Sequence, residues 1–212
     1  FLPERPYFYD YLTGEEFLRF YAEVSGRFKT RQAMKDRIDY LLKKVDLEHA
    51  RDRNLNSYSK GMLQKIGLAQ ALVHDPDFVI LDEPMAGLDP DGRYYLSELI
   101  AETASKGTSI FFSSHLLHDT QKLCQKLVIL RGGEVKFEGP TQKFLGMVNP
   151  SSQIKFRHDG VEQSIEVESV QKIQQKVDEL RQKKYEIISI VPNVSSLEDA
   201  FVNFALEKRR EA

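Results

Sequence analysis

The chain has 212 residues, an apolar fraction of 41% and nearly balanced charge, with 30 Lys and Arg against 32 Asp and Glu. That is enough for one large domain or one domain plus a small one, and it excludes intrinsic disorder and a nucleic-acid binder relying on bulk positive charge. A single cysteine, Cys124, excludes an intrachain disulfide framework and fits a reducing compartment, and no apolar run approaches the roughly 20 residues needed to span a bilayer.

Residues 13 to 75 read as helical. Thr13 followed three residues later by Glu16 is a capping box, Phe17, Leu18, Tyr21 and Val24 follow at helical spacing, and Gly26 is a stop signal. Thr30 caps a second helix with Met34, Ile38, Leu41, Leu42 and Val45 on one face, and Ser59 caps a third running to Asp75-Pro76. The pattern then alternates. Phe78-Val79-Ile80-Leu81 is a short apolar run, as in a strand buried on both faces, followed by a helix from about Asp91 to Ser105. Thr108 to Phe112 is a second buried strand, and a helix covers Leu116 to Gln125. Strand, helix, strand, helix predicts a parallel sheet with right-handed crossovers.

Leu127 to Leu130 and Glu134 to Phe137 flank Gly132-Gly133 and predict a hairpin, with a short helix from about Thr141 to Gly146 after it. Asn149-Pro150-Ser151-Ser152 is a linker by composition. Two strands around Asp159-Gly160, a polar helix over 169–184, a strand from Tyr185 to Val191 and a helix from Ser195 complete a small α+β appendage.

Four features carry chemistry. The apolar strand delivers Asp82 and Glu83 at its carboxyl end, where open α/β sheets bind ligands; Asp82 suits Mg²⁺, and Glu83 can orient or deprotonate a water. Tyr58-Ser59-Lys60-Gly61-Met62 places a capping hydroxyl, free N–H groups and a positive helix end together, either an anion site or an ordinary capped helix. Gly87-Leu88-Asp89-Pro90 follows, and Asp89 also reads as a cap for the next helix. Ser113-Ser114-His115 ends the second strand, where a histidine can contact a terminal phosphate. His49, His74, His118 and His158 have no companion motif and read as structural.

Their order resembles the ATP-binding-cassette (ABC) family, whose signature motif, Walker B strand, D-loop and switch histidine follow one another in this way. The resemblance runs from about Phe1 to Gly139. It implies a P-loop NTPase-like α/β parallel sheet with an inserted α-helical subdomain. The ATPase domain would cover 1–148, with the helical subdomain at about 10–75 and the Walker B and switch part at 76–148; 153–212 would be an accessory α+β domain. ATP and Mg²⁺ are the implied cofactors. In this family two ATPase domains pair head to tail around two ATPs. Ser59 and Gly61 are then expected to contact a γ-phosphate held by a second ATPase subunit. Asp82, Glu83 and His115 are expected to act on the chain's own nucleotide, and Asp89 to link the two sites.

Leu2-Pro3-Glu4 resembles the Q-loop, with Glu4 standing where the family has Gln; Glu4 is either a variant ligand to Mg²⁺ or water, or an exposed loop residue in another register. Tyr7, Phe8 and Tyr9 fall where the helical subdomain meets a membrane subunit, and suit that interface or a core equally. The signature Tyr-Ser-Lys-Gly-Met, in place of Leu-Ser-Gly-Gly-Gln, resembles exporter-type subunits that work with a separate integral membrane subunit at the cytoplasmic face of the membrane. No G-x-x-x-x-G-K-[ST] run is present, and Lys106-Gly107-Thr108 has the wrong order. The family places that run upstream of the Q-loop, so the chain is expected to be a fragment or processed form that binds ATP poorly alone. The expected function is ATP hydrolysis driving export, with no nucleic-acid partner. Competing readings are a soluble non-transport ABC ATPase and a non-enzymatic docking or dimerisation fragment.

Overall fold

The computed structural model describes residues 1–146, 152–167, 170–192 and 196–210. They form two compact units, Phe1–Asp119 and Thr120–Ala212. The first opens with helices whose ends follow from their sequence. In α1 (Gly14–Ser25) the Thr13 hydroxyl accepts from the Glu16 N–H, the Glu16 carboxylate accepts from the Thr13 N–H, and Gly26 closes the helix in the left-handed region at φ +63°. Thr30 caps α2 (Arg31–Lys44) and Ser59 caps α3 (Lys60–Leu72). Between α2 and α3 the chain makes two 3₁₀ turns, Glu48–Ala50 and Leu55–Ser57, which carry no periodic signal in the sequence. Phe17 and Leu18 of α1, Ile38, Leu41 and Leu42 of α2, and Ile66, Leu68 and Leu72 of α3 are buried. Each contributes about 1.5–3 kcal/mol by leaving water. Arg51 pins the cluster, donating to Glu15 at 2.6 Å and to Asp39 at 2.9 Å.

The βαβ reading holds. β1 (Phe78–Asp82) and β2 (Ser109–Ser113) pair in parallel across α4 (Pro90–Ser105), with Phe78 opposite Ser109 and Asp82 opposite Ser113. Leu2 adds a bridge on the other side of β1. Its N–H donates to the Ile80 carbonyl at 2.9 Å, and its own carbonyl accepts from Asp82 N–H at 2.8 Å. The expectation of two buried strands is corrected: no residue of β2 is fully buried, Phe111 being 56% exposed, and β1 is buried on one face only. Val79 and Leu81 are buried, whereas Phe78 and Ile80 are 57% and 41% exposed. The reason is that α3 packs on β1 and α4 on β2, and these two helices also touch each other, so they cover one face.

Glu102 on α4 gathers three donors: Tyr40 Oη and Lys106 Nζ each reach it at 2.7 Å, and Lys44 Nζ at 2.6 Å. The Lys106 bond, followed by those from Lys44 and Tyr40, holds its carboxyl down to about 2. A carboxyl depressed by folding adds stability above its unfolded pKa and loses it as pH falls through the folded value. Glu102→Gln is therefore expected to melt below wild type at neutral pH and to converge with it between about pH 4.5 and about pH 2. Thermal melts across that range check this.

In the second unit, β3 (Lys126–Arg131) and β4 (Glu134–Pro140) form the expected antiparallel hairpin. Gly132 and Gly133 turn it at φ +61° and +79°, values that suit a two-residue turn matching strand twist. Helix α6 (Thr141–Leu145) follows, with Phe144 against Phe137 and Phe204. Strands β5 (Ser152–His158), β6 (Val161–Val167) and β7 (Glu186–Pro192) form an antiparallel sheet in the order β6-β5-β7. Helix α7 (Val170–Gln182) packs on it over Ile154, Phe156, Val167, Val177 and Leu180. The last helix, α8 (Leu197–Arg210), is anchored where Leu197 N–H donates to Gln121 Oε1 at 2.7 Å. Most of the linker read at Asn149-Pro150-Ser151, and Ser195, lie outside the described residues. Helix α5 covers Leu117–Leu123. Burial pushes the Cys124 thiol up to about 11, so it is an inert side chain.

Candidate functional site

The parallel register brings the chemistry together. Ser113 stands opposite Asp82. Its Oγ donates to Asp82 Oδ1 at 2.5 Å and accepts from the Glu83 backbone N–H at 3.0 Å, so one hydroxyl orients both acidic positions. Two residues further on, His115 Nδ1 lies 2.8 Å from Glu83 Oε2, and the His115 backbone N–H donates to the same oxygen at 3.4 Å. The His115 side chain is 68% exposed and that of Glu83 21%. The pair reaches solvent through the exposed His115 ring, which leaves it accessible to a ligand.

Glu83 occupies the left-handed region at φ +48°. For a residue other than glycine this costs on the order of 1–3 kcal/mol and persists only where neighbours enforce it. Three groups do so. Ser113 takes the Glu83 N–H; the Ala86 N–H donates to the Glu83 carbonyl at 3.0 Å; and Gln64 Nε2 donates to the Glu83 and Pro84 carbonyls at 3.3 and 3.2 Å.

A second group forms at the start of α3. The exposed Ser59 accepts from the Met62 N–H at 3.2 Å, leaving the helix end facing outward. Gly61 lies against the Gly87-Leu88 segment; a β-carbon there would meet Leu88 Cδ2 at 3.6 Å and the Gly87 carbonyl at 4.0 Å. Gly87, at φ +74°, lies under the Lys60 side chain, whose Cε would be 3.1 Å from a β-carbon. Asp89 caps α4, accepting from the Gly92 N–H at 2.8 Å. Glu4 is exposed, two residues beyond the Leu2 bridge, and belongs to neither group.

No three His, Cys, Asp or Glu side chains are grouped for a metal among the described residues. The Asp82 carboxylate, oriented by Ser113, is the oxygen donor that fits Mg²⁺, an ion usually held by one or two carboxylates together with phosphate and water. Two contributors escaped the sequence reading. In the sequence Ser113 stands out only as part of the run ending at His115. Gln64 had a usable signal, because it falls on the buried stripe of α3 with Leu68, Ala71 and Leu72 at i+4, i+7 and i+8.

Comparison with known proteins bears on this geometry. The ABC transporter family model matches residues 3–86. The ABC transporter ATP-binding protein YdbJ of Bacillus subtilis strain 168, itself uncharacterized, is 32% identical over 98% of this chain and 71% of its own length. The chain belongs to the ABC transporter ATP-binding subunit family. Another uncharacterized ABC transporter ATP-binding protein, all4389 of Nostoc sp. PCC 7120, is 44% identical over 70% of this chain, and the match spans 44% of its length. A solved ATP-binding subunit of an ABC transporter superposes with TM-score 0.63 at 34% identity, covering 69% of this chain and 60% of that one. The ABC subunit therefore has the mixed α/β, P-loop NTPase-like fold. No helix among its described residues is long and apolar enough to cross a membrane.

Proposed function

We propose that the intact ABC subunit hydrolyses Mg-ATP and drives export through a separate integral membrane subunit, working from the cytoplasmic face. The observation that carries the hydrolysis in this reading is the Asp82–Ser113–Glu83–His115 cluster at the carboxyl end of two parallel strands. Asp82 would hold Mg²⁺, which when bound neutralises charge on the phosphates. Glu83 would orient the attacking water and take its proton, with His115 against the terminal phosphate. The exposed end of α3, with Ser59 and Gly61, would contact the γ-phosphate on a second ATPase subunit, and Asp89 would connect the sites from its capping position. Glu4 would add an oxygen acceptor for metal or water. Residues 1–212 contain no G-x-x-x-x-G-K-[ST] run, and by themselves they would bind ATP weakly. Residues 1–148 would serve as the ATPase domain and 153–212 as the accessory domain.

Exposed aromatics support docking to a membrane subunit. Tyr7 and Tyr11 are 90% and 72% exposed, and the exposed Tyr9 and Phe20 meet edge to face. Purification of the tagged subunit from detergent-extracted membranes tests the transport reading. An integral membrane protein is expected to co-purify at a fixed ratio. Recovery free of membrane protein but bound to ribosomes or DNA would favour a soluble ABC ATPase instead.

A further inference from the structure

Gln64 is the most deeply buried polar side chain near the cluster, 5% exposed within α3. A buried amide must find partners, and its Nε2 donates to one short stretch of backbone: the Glu83 carbonyl at 3.3 Å and the Pro84 carbonyl at 3.2 Å. These are the carbonyls on either side of the turn into which Glu83 carries its left-handed φ of +48°. The N–H of the same residue is held from the opposite side by Ser113. The Glu83 peptide is thus gripped between β2 and α3, beside the contact of its carboxylate with His115.

We propose that Gln64 is a positioning residue for Glu83, fixing the carboxylate against His115 and tying its place to the end of α3 that carries Ser59 and Gly61. The inference rests on the ATPase reading above. Ser59 and Gln64 are five residues apart on one helix, about 7.5 Å along a rigid element.

The test uses the intact subunit in its native assembly, with turnover expressed per nucleotide-trapping site, so that loss of folded protein lowers the site count and not kcat. Gln64→Met keeps the volume and removes the donor. It is expected to lower kcat about tenfold or more while KM for ATP stays within about twofold, since a small misplacement at a reacting centre is costly. Gln64→Glu replaces the donor by a carboxyl that can donate only when protonated, and burial favours protonation. Its kcat relative to wild type is expected to rise as pH is lowered from 8 to 6, while the ratio for Gln64→Met stays flat. Unchanged kcat in both variants would overturn the proposal, as would a Gln64→Glu ratio flat with pH. A wild-type assembly that does not hydrolyse ATP at all would instead sink the ATPase reading beneath it.

Discussion

Glu83→Gln is expected to abolish ATP turnover, by at least about a hundredfold, while ATP binding survives. The geometry isolates the effect to the carboxylate. Both Ser113 and Gln64 grip the Glu83 backbone, so the substitution leaves those bonds in place. The side-chain shape is retained, and an amide oxygen can still face His115 Nδ1. What is removed is the carboxylate that, on the proposed function, would take a proton from water. The melting temperature should therefore stay within a few degrees of wild type. Phosphate release and nucleotide binding, measured on the same preparation, separate chemistry from folding; a variant that turns over at wild-type rate would remove Glu83 from the reaction.

The largest expected loss of stability comes from Phe17→Ala. Phe17 is 1% exposed, with its ring centroid 5.4 Å from that of Phe8 and 5.1 Å from that of Tyr21. It sits in α1, which packs against both α2 and α3. Truncation removes the transfer energy of the ring and leaves a cavity among rigid helices, about 3–5 kcal/mol in comparable cores. A fall in melting temperature on the order of 10 °C or more follows. Phe20, three residues along the same helix, is 41% exposed, and Phe20→Ala should cost under about 1 kcal/mol. Parallel thermal melts of the two variants check the contrast; equal losses would mean that α1 does not anchor the helical part.

Local chemistry made much of this architecture legible. Thr13, Thr30 and Ser59 announce helix starts because a capping side chain and its N–H partner are three residues apart. Gly132-Gly133 announces the hairpin because both residues need positive φ. The placing of Asp82, Glu83 and His115 at one edge was readable because each ends or closely follows an apolar strand, and parallel strands align their carboxyl ends. What escaped depends on contacts distant in sequence. The exposure of Phe78 and Ile80 is decided by which face α3 and α4 cover, and an apolar run looks the same whether one face or two are buried. The Leu2 bridge spans some 80 positions and has no local signature. Ser113 acquires its role only when β2 is set beside β1. Gln64 was visible as a polar residue on an apolar stripe, but its partners are backbone carbonyls, which leave no trace in a sequence.

Phosphate release from ATP by the wild-type subunit in its native assembly, with Mg²⁺ present and with Mg²⁺ chelated, tests the central claim most directly. Saturable release that chelation abolishes is the result predicted by an Asp82-held ion beside the Glu83–His115 pair. Release that continues undiminished without Mg²⁺, or an assembly that binds Mg-ATP and never cleaves it, would contradict the account.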